Sequence, residues 1–189
     1  APEGGDDLVL GYRRETPPNI AVLSGGPGLL VLSPLGARVR RLTCVVPVQD
    51  PVEYYYRAAG LFATQNVYYV VPTPEPLQVV AELDDSTQMD VRHLAADPRV
   101  AERHVERLRL EPAGEGAPRL TRLAAEAIAG ADAIILGPGS LFESILPNLL
   151  IDELREAIAR SKARKIFVCN LMTEPGRTTG FGVAEHIRA

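Results

Sequence analysis

Three short segments of the sequence carry the residue types that could bind a phosphate or a sugar. Residues 24–28 read Ser-Gly-Gly-Pro-Gly, residues 137–140 read Gly-Pro-Gly-Ser, and residues 170–179 read Asn-Leu-Met-Thr-Glu-Pro-Gly-Arg-Thr-Thr. Glycines lack a Cβ atom, so their backbone N–H groups can approach an anion, and hydroxyl, amide and guanidinium groups suit sugars and phosphates. Each segment follows an apolar run, and we therefore expect the three to form the rim of one ligand site.

The glycine-rich segment at residues 24–28 has a spacing that fits no specific nucleotide-binding motif. No glycine lies three residues beyond Gly28, and no Lys-Ser or Lys-Thr pair follows it, so the segment is neither a dinucleotide fingerprint nor a P-loop. A tight turn without a ligand explains the glycines as well as a phosphate cradle does. Both interpretations stay open at this point.

The segment at residues 137–140 leads into a stretch that contains isolated polar residues. Ser140 occupies the position of a helix N-cap, where we expect its hydroxyl to accept a hydrogen bond from a backbone N–H two or three residues further on. Ser144 and Asn148 lie in an otherwise apolar stretch, and a buried Asn must find partners on the backbone or on a ligand. A serine nucleophile is not predicted, because the segment lacks the Gly-x-Ser-x-Gly motif.

Histidine and cysteine spacing gives no indication of a metal site. His93, His104 and His186 are scattered along the chain, whereas Cys44 and Cys169 each lie in an apolar run. We therefore predict no metal centre and two buried thiols.

Composition excludes two classes of partner. The formal net charge is -4, and no stripe of Lys and Arg is interleaved with aromatic residues, which argues against nucleic acid. No apolar segment reaches the length that a bilayer requires, and the first residues do not read as a signal peptide. We expect a cytoplasmic protein without a membrane span, and a homo-oligomer stays open.

Apolar runs and helical patterns alternate along most of the chain. Strands are predicted at residues 19–23, 42–48, 67–71, 131–136 and 165–170, and helices at residues 51–64, 120–129, 152–161 and 183–188. A further short helix at residues 29–35 should break early at Pro34. This order predicts an α/β fold, three-layered and Rossmann-like, with a mainly parallel sheet flanked by helices and ligands beyond the carboxyl ends of the strands.

The middle of the chain has the two-residue period of half-exposed strands. Residues 77–83 and 87–91 are separated by Asp84-Asp85-Ser86, which predicts a β-hairpin added to the sheet, and residues 105–110 alternate in the same way. We predict a single domain at residues 19–189, preceded by an N-terminal arm at residues 1–18.

Three stretches together resemble the YvcK/CofD-like superfamily, and within it the YvcK-like gluconeogenesis factors. They are GPGSLFESILPNLL, VCNLMTEPGRTTGFGVAEHI and, less distinctively, SGGPGLLVL. The YvcK-like branch implies a cytosolic factor that binds UDP-sugars such as UDP-N-acetylglucosamine and supports gluconeogenic growth, cell shape and envelope synthesis. The CofD-like branch implies 2-phospho-L-lactate transfer to a deazaflavin in coenzyme F420 biosynthesis, with Mg²⁺ held by a carboxylate for which Asp50 is the candidate.

The sequence also departs from the pattern of this superfamily. The first loop of the superfamily usually reads Gly-Gly-Gly-Thr-Gly-Leu-Ser. Another loop of the superfamily, Asp-Asp-Gly-Gly-Ser-Ser-Gly, is reduced in this sequence to Asp50. The long helical section that follows this loop in the superfamily is missing here. Glu143 replaces a usual Thr, and Glu174 and Arg177 stand where Gln and Glu are common. Two explanations compete: a shortened, degenerate relative, or a sequence that joins segments around a missing stretch between Asp50 and Pro51.

We therefore expect a nucleotide-sugar-binding factor that is regulatory and not catalytic, with two alternatives. These are a CofD-like transferase, with Mg²⁺ as its cofactor and Asp50 as its catalytic or metal-binding residue, and a degenerate protein that acts through protein contacts. The predicted ligand-binding residues are Ser24, Gly25, Gly26, Gly28, Gly137, Pro138, Gly139, Ser140, Ser144, Asn148, Asn170, Met172 and Thr173.

Overall fold

Eight strands and five α-helices are present in the computed structural model, which describes residues 16–25, 28–49, 51–52, 66–94, 97–98, 100 and 103–189. The strands within these residues are β1 (Asn19–Leu23), β2 (Arg41–Val45), β3 (Val67–Val70), β4 (Leu77–Leu83), β5 (Gln88–Asp90), β6 (Val105–Pro112), β7 (Ala133–Leu136) and β8 (Arg164–Phe167). The α-helices are α1 (Gly28–Leu32), α2 (Arg122–Ala129), α3 (Leu146–Leu149), α4 (Asp152–Arg160) and α5 (Val183–Arg188). Two 3₁₀ turns (Ser33–Arg38 and Val91–His93) and a π-helical turn (Leu141–Ile145) complete the described elements.

Five strands form a wholly parallel sheet in the order β3-β2-β1-β7-β8. Its central strand β1 is buried at Ala21, Val22 and Leu23, as expected of a parallel strand that is covered on both faces. The predicted α/β fold with a mainly parallel sheet is confirmed. Chain order reverses between β1 and β7, because β2 and β3 extend the sheet on one side of β1 and β7 and β8 on the other.

The other three strands form a separate antiparallel sheet in the order β5-β4-β6. The predicted hairpin exists as β4 and β5, but the prediction that it is added to the parallel sheet is wrong. Strand β4 has β5 on one edge and β6 on the other, so it has no free edge with which to extend the parallel sheet. The alternating pattern of residues 105–110 belongs to this same sheet.

Apolar residues cover both faces of the parallel sheet, which gives the predicted three layers. Along β1, Leu23 packs into a core that also holds Ile128 of α2, Leu154 of α4 and Leu83 of the antiparallel sheet. Val22 points to the opposite face, into a second cluster beneath α1. One side of the sheet is therefore covered by helices and the second sheet, and the other by α1 and the turn that follows it.

Element ends differ from the predicted ones by a few residues at several places. Strand β2 ends at Val45 and β8 at Phe167, before the apolar runs themselves end, because the chain there leaves the sheet to form loops. Helix α1 ends at Leu32 and gives way to a 3₁₀ turn that carries Pro34 in its first residues, as the proline led us to expect. Only Pro51 and Val52 of the predicted helix at residues 51–64, and residues 16–18 of the predicted arm, fall among the described residues.

None of the helices within the described residues has the length and apolar character needed to cross a membrane. Cys44 is buried as predicted, but Cys169 is only half-buried, because it lies beyond the end of β8.

Candidate functional site

The loops that follow β1 and β7 lie side by side at the carboxyl edge of the parallel sheet. Strands β1 and β7 are paired from Ile20 with Ala133 to Leu23 with Leu136. Chain order reverses between these two strands, and in open α/β sheets ligands bind in the crevice outside such a reversal. The fold thus brings residues 24, 25 and 28 of the first predicted segment beside residues 137–140 at this edge of the sheet.

The first loop is held against the second by a buried serine and a glycine. The Ser24 hydroxyl, which has no exposed surface, donates a hydrogen bond to the Pro138 carbonyl oxygen at 2.6 Å. A Cβ atom on Gly28 would lie only 1.9 Å from that same oxygen. Gly28 is therefore required by the contact between the loops, and Ser24 fixes their spacing.

Two further glycines serve the same contact. A Cβ on Gly25 would lie 1.9 Å from the Ser144 hydroxyl oxygen. Gly139 has a φ of +155°, and a Cβ there would lie 2.7 Å from the Gly25 nitrogen. At these positions the neighbouring loop fills the space that the missing Cβ leaves open, so packing between the loops explains these glycines without a bound phosphate.

Asn170 joins the third predicted segment to the second loop. Its side-chain nitrogen donates to the Gly139 carbonyl oxygen at 3.0 Å, and its side-chain oxygen accepts from the Gly139 nitrogen at 3.4 Å. Gly137 approaches the same region, since a Cβ on it would lie 2.5 Å from the Val168 carbonyl oxygen. By contrast, Met172 and Thr173 are exposed, and Met172 keeps 82% of its surface accessible.

The predicted capping role of Ser140 is wrong. Ser140 precedes the π-helical turn, but its hydroxyl makes no bond to the backbone of that turn and instead donates to the Glu174 carboxylate at 2.9 Å. The Ser140 carbonyl oxygen accepts from the nitrogens of Ser144 and Ile145, at 3.0 and 3.2 Å, which gives the first turn its wide π geometry.

Two carboxylates share one guanidinium beside Ser140. Arg177 lies 2.7 Å from a Glu143 oxygen and 3.2 Å from a Glu174 oxygen, and its side chain is only 11% exposed. Burial raises the pKa of the Glu143 carboxyl above its ordinary value; the charge of Arg177 opposes this shift, and the charge of Glu174 adds to it. We call Glu143, Glu174 and Arg177 the carboxylate cluster. The guanidinium that sequence reasoning offered to a phosphate is already neutralised within it.

Asn148, predicted as a ligand-binding residue, is fully buried, and its partners among the described residues are backbone groups. Its side-chain oxygen accepts from the Val48 nitrogen at 2.7 Å, and its side-chain nitrogen donates to the Val46 carbonyl oxygen at 3.0 Å. Asn148 therefore positions the chain that leaves β2 and offers no free polar group. Asp50, at the end of that chain, and Gly26 of the first loop lie outside the described residues.

A separate cavity of about 550 Å³ lies between β6, the π-helical turn and α5. Its lining is largely apolar and includes Leu108, Leu141, Phe142, Phe167 and the buried His186. The Nδ1 atom of His186 lies 2.8 Å from the Gly182 carbonyl oxygen, so the imidazole ring is held against the start of α5. Arg107, Arg155 and Arg188 also line this cavity. We place the candidate site at the loops because the chain order of the parallel sheet reverses there.

Within the part of the chain that the structure describes, no three His, Cys, Asp or Glu side chains are grouped to hold a metal ion. Asp50, the candidate carboxylate for Mg²⁺, lies outside the described residues.

A parallel sheet whose chain order reverses beside tightly packed, glycine-containing loops defines a Rossmann-like α/β protein. The chain belongs to the family of the 2-phospho-L-lactate transferase CofD, whose sequence model matches residues 57–189.

Several bacterial proteins share sequence with this chain. The "Gluconeogenesis factor" of Listeria innocua is 41% identical over 120 residues, which are 63% of this chain and 35% of that protein. Proteins of Deinococcus radiodurans and Aquifex aeolicus that carry a provisional form of the same name are 42% identical over 62% of this chain. The matched part is 24% of the Deinococcus protein and 35% of the Aquifex protein, so this chain spans at most about a third of the length of these relatives.

Solved structures show the same fold. The crystal structure of a Bacillus halodurans protein matches 92% of this chain and 76% of its own chain with a TM-score of 0.76 at 22% identity. A second crystal structure of the same protein, described as a member of the UPF0052 family, matches with the same TM-score and coverage at 21% identity.

Proposed function

We propose that this chain binds a nucleotide-sugar of the UDP-N-acetylglucosamine type and takes part in the regulation of carbon metabolism, cell shape and envelope synthesis. The observation that carries the proposal is the pair of interlocked loops at the reversal of the sheet. Relatives named gluconeogenesis factor support the metabolic part, and the phosphate-containing substrate in the name of the CofD family supports a phosphate-bearing ligand.

Backbone groups and not side-chain charges would contact the diphosphate in this proposal. Ser24 and Asn170 are engaged with the second loop, and Arg177 is neutralised by two carboxylates. Among the described residues of the first loop, the Gly28 nitrogen donates to the Gly25 carbonyl oxygen at 3.0 Å, and helix α1 begins at Gly28. The proposal assigns the diphosphate to the backbone of this loop. Backbone N–H groups can bind an anion although they carry no net charge and, unlike Arg177, they have no charge for a carboxylate to neutralise.

Titration calorimetry with UDP-N-acetylglucosamine tests the proposal. We expect a saturable heat and a ligand-dependent rise in the temperature of unfolding. The Ser24→Ala variant should bind several-fold more weakly because the first loop loses its bond to Pro138. The Ser161→Ala variant is the matched control, since Ser161 lies before β8 at the opposite edge of the sheet. The absence of both a binding heat and a thermal shift at millimolar ligand would contradict nucleotide-sugar binding.

The family match favours a second candidate, a CofD-like transferase. Such an enzyme would need a carboxylate-bound Mg²⁺ to neutralise the diphosphate of an activated donor, which lets an acceptor hydroxyl attack. The described residues do not offer that carboxylate set. Transfer of 2-phospho-L-lactate from an activated diphosphate-linked donor to the hydroxyl of a deazaflavin in the presence of Mg²⁺, with release of the nucleotide, would favour this candidate over the binding factor if Asp50→Asn abolishes it.

A further inference from the structure

We propose that the cavity between β6, the π-helical turn and α5 binds an amphipathic anion, namely a medium-chain acyl carboxylate. The apolar chain of this ligand would fill the cavity, and its carboxylate would lie beside Arg107. The site is separate from the loops that follow β1 and β7, so the inference goes beyond nucleotide-sugar binding and does not depend on it.

The size and the wall of the cavity carry the first step. Its volume of about 550 Å³ lies within the range of pockets that hold small organic ligands. Side chains from five elements form the apolar part of its wall, and they include Leu108, Leu136, Phe142, Leu146 and Phe167. Such a wall favours the transfer of an alkyl chain from water into the cavity.

The charged residues of the lining carry the second step. Arg107, Arg155 and Arg188 line the cavity, and Glu106 is the only acidic residue among the described residues that do so. Arg155 and Arg188 each form an ion pair within their own helix. The Arg107 guanidinium, by contrast, is exposed and has no ion-pair or hydrogen-bond partner in the described part of the chain. An unpaired guanidinium binds a carboxylate through its fork of N–H donors.

The position of β6 brings this cation and the apolar wall together. Strand β6 lies at an edge of the antiparallel sheet, with β4 on one side of it, and residues 106–108 all line the cavity. Successive side chains of a strand point to opposite faces, so a cavity lined by three consecutive residues lies along the edge of the strand. A ligand at this edge can contact Arg107 and Leu108 at once, as a molecule with a charged end and an apolar end requires.

The lining also contains a buried polar atom of His186. A carbonyl oxygen only accepts hydrogen bonds, so the contact with Gly182 assigns the ring proton to Nδ1 and leaves Nε2 as an acceptor in the neutral imidazole. Nε2 is buried and has no hydrogen-bond partner within the described residues. The large majority of buried polar atoms in folded proteins are hydrogen-bonded. The orphaned Nε2 therefore indicates that this cavity takes a ligand with a polar group and is more than a packing defect.

Titration calorimetry with hexanoate, octanoate and decanoate tests the apolar part of the proposal. We expect the dissociation constant to fall about tenfold for every two methylene groups that the chain gains. Leu146→Trp places a larger side chain in the cavity and should abolish binding of all three acids. Leu123→Trp, on the exposed side of α2, is the matched control and should bind them as the wild type does.

A comparison of octanoate with 1-octanol tests the anionic part. The wild type should prefer octanoate, and Arg107→Gln should reduce this preference about fivefold, because a charged donor becomes an uncharged one. Arg164→Gln is the matched control, since Arg164 is exposed at the beginning of β8 and does not line the cavity. In nuclear magnetic resonance spectra, octanoate should shift the imidazole signals of His186 but not those of His93, which lies in a 3₁₀ turn outside the lining.

Three results would overturn the inference and leave nucleotide-sugar binding untouched. They are the absence of acyl-anion binding at millimolar concentration, an affinity that is independent of chain length, and equal affinities of the wild type for octanoate and 1-octanol. Binding that leaves the His186 signals unchanged would place the ligand elsewhere and would also contradict it. Should Leu146→Trp not fold, the chain-length series and the His186 signals of the wild type still decide the question.

Discussion

Single residues decide how closely the two loops of the crevice approach each other. Gly25, Gly28 and Gly139 each leave space that an atom of the opposite loop fills. The sequence alone predicts that these positions need glycine, but not for what purpose, because a phosphate and a neighbouring loop exclude a Cβ atom equally well. Only the pairing of β1 with β7, over a hundred residues apart, shows that the loops meet.

Gly28→Ala should destabilise the protein although alanine favours a helix more than glycine does. The added Cβ would lie 1.9 Å from the Pro138 carbonyl oxygen, a backbone atom that cannot rotate away. We expect a loss of about 1–3 kcal/mol in the free energy of unfolding, measured by urea denaturation. Gly114→Ala is the control, because no atom lies within 4 Å of its new Cβ. Equal stabilities of the two variants would show that the loops are not packed as described.

The sequence predicts which types of polar residue line the site, but not which residues they contact. The sequence places Ser140 and Asn170 at the rim and offers the Arg177 guanidinium to a phosphate, but it does not pair Ser140 with Glu174. Their contacts join residues about thirty positions apart, and no spacing rule within one element connects such residues. The buried Asn148 was expected to need partners, and the structure provides them on the backbone beyond β2.

At the scale of elements, a buried polar contact joins the two sheets. Asp90, at the end of β5, accepts hydrogen bonds from the Gln49 side chain at 2.9 Å and from Arg92, whose guanidinium lies 2.6 Å away. Burial by itself would raise the pKa of Asp90, but the bonds from Arg92 and Gln49 and the charge of Arg92 together hold the pKa below its ordinary value of 3.8. The loop after β2 is thereby fixed to the antiparallel sheet.

Asp90→Asn should lower stability at neutral pH by about 1–3 kcal/mol, since a charged hydrogen-bond acceptor is lost. A lowered folded pKa means that this stabilisation is complete above the unfolded value of 3.8 and disappears as the pH falls through the folded value. The difference between wild type and variant should therefore shrink below pH 3.8, as followed by urea denaturation at several pH values. Asp152→Asn, at an exposed pair with Arg155, should change stability by less than about 1 kcal/mol. A difference that is constant with pH would contradict the role of Asp90.

Element types were predictable because hydrophobic periodicity reports burial directly. The continuous apolar run of β1 and the alternation of β4 are both visible in the sequence. The π-helical turn at Leu141–Ile145 was not predictable, since it depends on two N–H groups that share the Ser140 carbonyl oxygen. The separate antiparallel sheet was missed because an alternating pattern shows which face of a strand is buried, but not which strand lies beside it.

At the scale of the whole molecule, one core joins the two sheets. Leu83 of β4 and Ile134 of β7 are almost fully buried and belong to the same cluster, together with residues of α2 and α4. Unfolding of either sheet would expose the apolar surface of the other. We therefore expect the described part of the chain to unfold as one unit.

Leu83→Ala and Ile134→Ala should each lower the free energy of unfolding by about 2–5 kcal/mol. Because the core is shared, circular dichroism and tyrosine fluorescence should report a single, coincident transition in both variants. Leu123→Ala, on the exposed side of α2, should change stability by about 0.5 kcal/mol or less. Two separate transitions in the Leu83 variant alone would show that the antiparallel sheet folds independently.

The side chain of Asn148 has a consequence for the entropy of binding. It holds the chain beyond β2 from one side, while Asn170 holds the loop beyond β7 from the other. Segments on both sides of β1 are thus ordered by folding, before any ligand arrives. A ligand that enters the crevice does not have to immobilise them, so more of its interaction energy is expressed as affinity.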